Sequence, residues 1–240
     1  TPDGRPFYVG TYFPKEPRRG SPGFLQLLSD VHESWSEAEG REEIESRADE
    51  WTEAIRGELE ASPAGVAEPE LGQNPLETAA EAAVRGADRE YGGWGRGQKV
   101  PHAGRIHLLL RAHDDTGRSP FRDVAVEALD AMAEGGMYDQ LGGGFHRYAT
   151  DREWSVPHFE KMLYDNAELP RAFLAGYQVT GDERYARVVR DTFDFLQDEL
   201  KHAGGGFYST LDARSEGEEG TYYVWTPDEI RQIAGEDATA

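Results

Sequence analysis

From residue 76 onward, apolar residues recur at helical spacing in one segment after another, and this constrains the fold more than any other feature. The stripes fall at Leu76, Ala79, Ala80, Ala83, Val84 and Ala87, then at Ile106, Leu109 and Leu110, then at Phe121, Val124, Ala125, Ala128, Leu129 and Met132. A fourth runs from Phe159 through Tyr177, and a fifth takes in Tyr185, Val188, Val189, Phe193 and Leu196. Residues three or four apart share one helix face, so each stripe predicts a helix with one side committed to a core. Pro170 lies inside the fourth stripe, and its missing N–H predicts a break near Leu169.

The connections alternate in kind. Short turns at 115–120 and 180–184 separate long, glycine-rich and aromatic loops at 91–101, 135–157 and 203–226. In an antiparallel helix series this alternation puts all the long loops at one end. They share a signature, Gly92-Gly93-Trp94, Gly143-Gly144-Phe145 and Gly205-Gly206-Phe207, at intervals of 51 and 62 residues, which marks an internal repeat. Glycine permits positive φ and close backbone approach, so the step is read first as architecture. Helical pairs with long loops on one face build a solenoid or a closed toroid, and about three pairs would form half of a six-pair ring. An open half ring exposes apolar faces, which implies either a homo-oligomer or a missing remainder of the toroid.

The front of the chain reads differently. Thr1-Pro2-Asp3-Gly4 is a turn by its chemistry, and Phe7-Tyr8-Val9 and Thr11-Tyr12-Phe13 read as strand. Helices follow on the stripes Phe24, Leu27, Leu28, Val31, Trp35 and Ile44, Ala48, Trp51, Ile55, Leu59. Residues 61–75, rich in Pro, Gly, Ala and Glu without periodicity, read as a linker. At the far end, Phe207 to Asp212 and Thr221 to Thr226 read as two strands, and Thr226-Pro227-Asp228-Glu229 as a helix start with a capping box.

Bulk charge narrows the partners. Asp and Glu number 46 against 25 Lys and Arg, for a formal net charge of -21. A field of that sign repels phosphate backbones and anionic lipid, so neither nucleic acid nor a membrane surface is expected as a partner. Only Lys15, Lys99, Lys161 and Lys201 are lysines, a style that suits salt-rich cytoplasm, where screening offsets self-repulsion. The chain has no cysteine, which excludes disulfides and thiol chemistry within it. No apolar stretch approaches the roughly 18 residues of a membrane span and no signal pattern opens the chain, so an unexported, cytoplasmic protein is expected.

Polar function concentrates between Asp139 and Asn166. Asp139, Asp151, Glu160 and Asp165 offer carboxylate pairs for acid and base work, while His146 and His158 titrate nearest neutrality. Hydrolysis of a glycosidic bond would need two of the carboxylates at a fixed separation. Epimerisation would suit proton abstraction by His146 or His158, with Arg147 holding an oxyanion. A different reading makes the same residues a clasp for the long loop, with Arg147 paired to Asp151, His158 at a helix start and Trp154 in the core. Ligand types would allow a metal at His146, His158 and Glu160, but the spacing does not support one, and no cofactor is expected.

The run from Gly135 to Tyr148, GGMYDQLGGGFHRY, continued by Trp154 to Asn166, WSVPHFEKMLYDN, resembles the YyaL family of thioredoxin-domain-containing proteins, which includes spermatogenesis-associated members. Gly206-Phe207-Tyr208-Ser209 with Asp212, Ser215, Glu216 and Gly217, and Tyr222-Tyr223-Val224-Trp225-Thr226, carry the same resemblance. It implies a mainly α fold: residues 1–60 as the C-terminal end of a thioredoxin-like α/β domain, and residues 76–240 as the first half of an (α/α)6 toroid of the six-hairpin glycosidase type. The Cys-bearing front of the thioredoxin-like domain is absent from this chain. The resemblance further implies a sugar-like substrate and epimerase-like or hydrolase-like chemistry, or else a non-catalytic thioredoxin-linked scaffold. On the enzyme reading the catalytic candidates are Asp139, His146, Arg147, His158, Glu160 and Asp165. Trp94, Lys99, Phe145, Tyr148, Asp151, Trp154, Lys161, Asn166, Tyr208 and Asp212 are then the candidates for holding substrate.

Overall fold

A computed structural model describes residues 1–10, 12–18, 22–60 and 74–235, with side chains omitted at 58–60. The chain divides into two compact units, Thr1–Gly72 and Gln73–Ala240. In the first unit, helices α1 (Phe24–Ser36) and α2 (Ala38–Glu60) pack together over Ile44 and Ala48, the two most enclosed apolar residues there. Phe13 sits between Tyr8 and Phe24, with ring centroids 6.1 Å from each. The expected strands at Phe7 to Val9 and at Tyr12 and Phe13 are not formed, and Thr11 lies outside the described residues. Strand needs a ladder partner, and the described residues of this unit supply none. Most of the proposed linker, 61–73, is likewise outside the described residues.

The second unit is built from α3 (Pro75–Arg85), α4 (Ala103–Thr116), α5 (Ser119–Glu134), α6 (Leu163–Thr180), α7 (Glu183–Phe195) and α8 (Pro227–Ala234). Most residues of the stripes read from the sequence face inward, while Ala79 and Phe193 are exposed. Ile106, Leu109, Phe121, Val124, Leu129, Met132, Leu169, Phe173 and Tyr185 form one core, with α4 packed on α5 and α6, and α6 on α7. Local chemistry sets the ends. Asn74 accepts from the Leu76 N–H at 3.1 Å ahead of Pro75. Gly117 and Gly181 close α4 and α6 in the left-handed conformation. The Thr226–Glu229 capping box is present, with both bonds made.

Two expectations need correction. Helix α6 begins at Leu163 rather than Phe159 and runs unbroken through Pro170. The proline removes a single i→i−4 bond, and burial of Leu169, Pro170, Ala172 and Phe173 holds the helix on either side of it. The last long loop is a series of two-residue pieces, not two long strands. Thr210–Leu211 (β4) pairs with Lys161–Met162 (β3), and Arg214–Ser215 (β5) forms a hairpin with Glu218–Glu219 (β6). The charged run from Arg214 to Glu219 has no apolar face to bury, so pairing stays short.

The long loops gather at one end and are stitched to each other. Lys99 and Ala149 exchange two backbone hydrogen bonds of 3.0 and 2.9 Å, and Lys161 pairs with Leu211 in the same manner one loop further on. The hairpin of β1 (Tyr148–Ala149) and β2 (Pro157–His158) lies between these joints. The Gly-Gly-aromatic repeat is a physical unit. Asp88 N–H donates to Gly93 O (2.8 Å) and Asp139 N–H to Gly144 O (3.0 Å), while His202 N–H donates to Gly206 O (3.1 Å). All six glycines of the three steps have positive φ. At Gly144 a Cβ would also strike the Phe195 ring, so no other residue fits there.

Candidate functional site

Each of the first two repeats buries a lysine on an aspartate. Lys99 Nζ donates to Asp88 Oδ2 and to Gly92 O, both at 2.8 Å, and Lys161 Nζ donates to Asp139 Oδ2 at 2.7 Å and to Gly143 O at 2.8 Å. In each pair the aspartate's other oxygen accepts the turn that follows it, from Glu90 and Tyr91 N–H at Asp88 and from Leu141 and Gly142 N–H at Asp139. Each ammonium also lies near an aromatic ring, Lys99 6.0 Å from Trp154 and Lys161 4.4 Å from Phe195.

The two copies differ in what covers them. Arg152 clamps Asp88 with bonds of 2.7 and 2.9 Å, so Asp88 and Lys99 are sealed from solvent. Arg152 and then Lys99 hold the Asp88 carboxyl well below the usual carboxylate range. Asp139 has no such cover. With Gly142, Lys161, Phe195, Glu199, Leu211, Asp212, Arg214, Ser215, Tyr222 and Tyr223 it borders an open cleft of ≈ 340 Å³. Burial favours the neutral form of Asp139, but Lys161 and the Gly142 N–H outweigh it and set its pKa below the ordinary value. Burial lowers Lys161 as well, opposed by Asp139. The three donors on Asp139 hold the pair in its ionised form.

Asp139 and Tyr223 also line a second cleft of ≈ 430 Å³, whose walls include Tyr138, His146, Pro157 and Phe159. His146 is 2% exposed, and its Nδ1 lies 3.1 Å from Phe159 O, an arrangement that assigns the proton to Nδ1 and leaves Nε2 as the acceptor. Phe159 and Tyr223 stand edge-on to the ring at 5.4 and 4.7 Å. Burial, then the Lys161 charge, pulls its pKa down to about 4, so the imidazole is neutral across the physiological range. The Tyr223 hydroxyl is pushed up to about 12, by burial and then by Asp139.

The remaining sequence candidates fall into three other places. Arg147, Glu160 and His158 form a solvent-facing chain. Arg147 bonds Glu160 at 2.9 Å, His158 Nδ1 lies 2.6 Å from Glu219, and the His158 ring stacks on Tyr148 at 5.0 Å. Asp165 lies in the first turn of α6 near Arg147, with a buried Oδ2 that has no partner among the described residues. Its pKa is raised to about 7 by burial, against the Arg147 charge. Trp94, Lys99, Phe145, Trp154 and Asn166 are enclosed and serve packing; Asn166, for example, brackets Phe145 by accepting its N–H and donating to its carbonyl. Asp151 accepts from Ser155 and Val156 N–H and pins a turn, instead of pairing with Arg147. Tyr208 is exposed, edge-on to His202.

Of the sixteen candidates, the clefts thus bring together Asp139, His146, Lys161 and Asp212. Phe195, Glu199 and Arg214 join them without having been singled out in the sequence, as do Ser215, Tyr222 and Tyr223, there noted without a role. Glu199 sits in a π-helical turn (Leu196–Leu200) that continues α7, a widening that sequence periodicity does not signal. Among the described residues no group of three His, Asp or Glu side chains is arranged to hold a metal ion. No helix among them is long and apolar enough to cross a membrane.

Antiparallel helix pairs with their long loops joined at one end define a partial α/α toroid, and solved structures bear this out. The second unit's fold is similar to that of a sugar epimerase from a ruminal bacterium (TM-score 0.51, 17% identity, 58% of this chain and 41% of that one). It is similar also to an unsaturated glucuronyl hydrolase specific for heparin (TM-score 0.50, 12% identity, 61% and 45%). Residues 1–56 match the Thioredox_DsbH family, a protein of unknown function, DUF255. Across 98% of its length the chain is 36% identical to human spermatogenesis-associated protein 20, of which it spans 31%. By sequence, then, this chain is similar to spermatogenesis-associated protein 20, and it spans about a third of that protein's length.

Proposed function

We propose that the paired clefts around Asp139 bind a carbohydrate or related polyol and act on it by acid–base chemistry. The observation that carries this is the contrast between the two buried lysine–aspartate pairs, the first sealed by Arg152 and the second left open to a cleft of ≈ 340 Å³. A cleft of that size suits a small polar ligand. Its walls pair charged donors and acceptors with aromatic faces, the combination that a sugar's hydroxyls and C–H surface call for.

In the epimerase-like form of the reading, His146 Nε2 takes a proton from a carbon next to a carbonyl, because Nδ1 is tied to Phe159 O and the ring is uncharged at neutrality. Lys161 faces the developing oxyanion, in place of Arg147, whose guanidinium is held by Glu160. On this reading residues 1–60 end a thioredoxin-like domain and residues 76–240 open the toroid. The scaffold alternative draws support from Asp88 and Lys99, which show that the same pair also serves as a plain clasp. Deuterium incorporation at sugar carbons in heavy water separates the two: the enzyme reading expects incorporation that His146→Gln abolishes and Arg147→Gln leaves within about twofold. No incorporation with a panel of aldoses and ketoses, or incorporation that survives His146→Gln, would count against it.

A further inference from the structure

The internal repeat also says what the open cleft is shaped to receive. The two copies can be superposed by their joints: Lys99 with Ala149 in the first, Lys161 with Leu211 in the second. Counting on from Ala149 and Leu211, Trp154 (φ 62) falls on Glu216 (φ 56), the two positive-φ residues that are not glycine among the described residues. Arg152 then falls on Arg214, and Asp88 on Asp139. Counting back from the glycine steps, Tyr91 falls on Gly142.

In the first copy a guanidinium lies on Asp88 in a two-pronged contact, 3.0 Å from Glu90 and 4.8 Å from the Tyr91 ring. In the second copy the aspartate and the arginine remain, but their surroundings have changed. Gly142 removes the ring, and Arg214 lines the cleft with no ion pair to Asp139 among the described residues. The carboxylate and its two turn N–H donors keep their geometry. Phe195 and Tyr223 supply aromatic faces, and the lining carries Asp139, Glu199 and Asp212 against Lys161 and Arg214. The protein thus holds, in its own first repeat, a picture of a cation seated on the aspartate that its second repeat leaves open.

We infer that the Asp139 cleft is a seat for a cationic nitrogen, an ammonium or guanidinium, carried by the small ligand. This rests on the sugar-binding reading only in naming the ligand an aminated sugar or polyol. Charge supports a cation over an anion, because the lining is net acidic and so is the chain as a whole. Aromatic faces beside a carboxylate favour it further.

The test is a set of titrations of the chain at pH 7 and fixed ionic strength with methylguanidinium, glucosamine and glucose, followed by the resonances of Tyr222 and Tyr223. Glucosamine is expected to bind at least about tenfold more tightly than glucose, and methylguanidinium to shift the same two tyrosines. Arg214→Ala removes a competing cation from an exposed rim and is expected to tighten methylguanidinium about threefold, while Asp139→Asn abolishes its binding. Equal binding of the two sugars overturns the cation seat and leaves the sugar site standing. Methylguanidinium binding without either sugar supports the seat and counts against the sugar reading. Absence of all binding, or weaker methylguanidinium binding in Arg214→Ala, overturns the proposal without appeal to whether Asp139→Asn folds.

Discussion

At the scale of single residues, two buried groups titrate in opposite senses and make pH a direct probe. His146 has its pKa lowered to about 4 by burial, so the unfolded chain binds more protons between about pH 6.5 and 4, and this residue's contribution to stability falls as pH drops through that window. The loss amounts to about 3 kcal/mol. Asp165 has its pKa raised to about 7, so the folded chain holds the extra proton, and its ionisation destabilises the fold as pH rises toward 7. The two slopes oppose each other between pH 4 and 6.5. Asp165→Asn is therefore expected to raise stability at pH 8, leave it unchanged near pH 3, and uncover the full acid loss due to His146, all readable by urea unfolding at each pH. Lys99→Met offers a further check: Asp88 keeps its clamp from Arg152 but loses the buried ammonium, and Gly92 O loses its donor, which should cost about 1 to 3 kcal/mol. The sequence marked most of the polar residues involved but could not sort them. Asp139 and Asp151 read alike in the chain, and they part only when folding sets one against Lys161 and the other against two backbone N–H groups.

At the scale of elements, the helices were legible and the loops were not. Period-3.6 stripes fixed α3, α4, α5 and α7 because burial of one face is a local property of the sequence. The start of α6 was misplaced because Phe159 and Met162 fit a helical stripe by spacing, whereas β3 is set by pairing with Thr210 and Leu211, some fifty residues away. The Gly-Gly-aromatic steps announced the repeat, yet the covering Arg152 depended on long-range contact with Asp88 and left no local sign. The same steps carry a prediction. Gly144→Ala combines positive φ with a clash against Phe195 and should cost about 2 to 4 kcal/mol, whereas Gly181→Ala, with positive φ but open space, should cost about 1 kcal/mol. Equal costs for the two would mean that the loop relaxes away from α7.

At the scale of the whole molecule, the chain combines a net charge of -21 with a fold whose loops converge at one end. Self-repulsion of that size predicts a melting temperature that rises steeply with sodium chloride up to molar concentration, as the Debye length shrinks toward about 3 Å, and a flat response would remove the salt-adaptation reading. The α/α architecture itself was legible from alternating short and long connections, and the likeness to a sugar epimerase's fold agrees with it. What an alternation of loops cannot convey is which of two near-identical clasps stays open, and that distinction carries the functional reading. It is tested most directly by a crystal structure of the chain soaked with glucosamine and related monosaccharides. The expected density lies in the clefts shared by Asp139 and Tyr223, within hydrogen-bonding reach of Asp139 and beside His146 Nε2. Density on the Arg147, Glu160 and His158 face, or clefts that stay empty at saturating sugar, would contradict it.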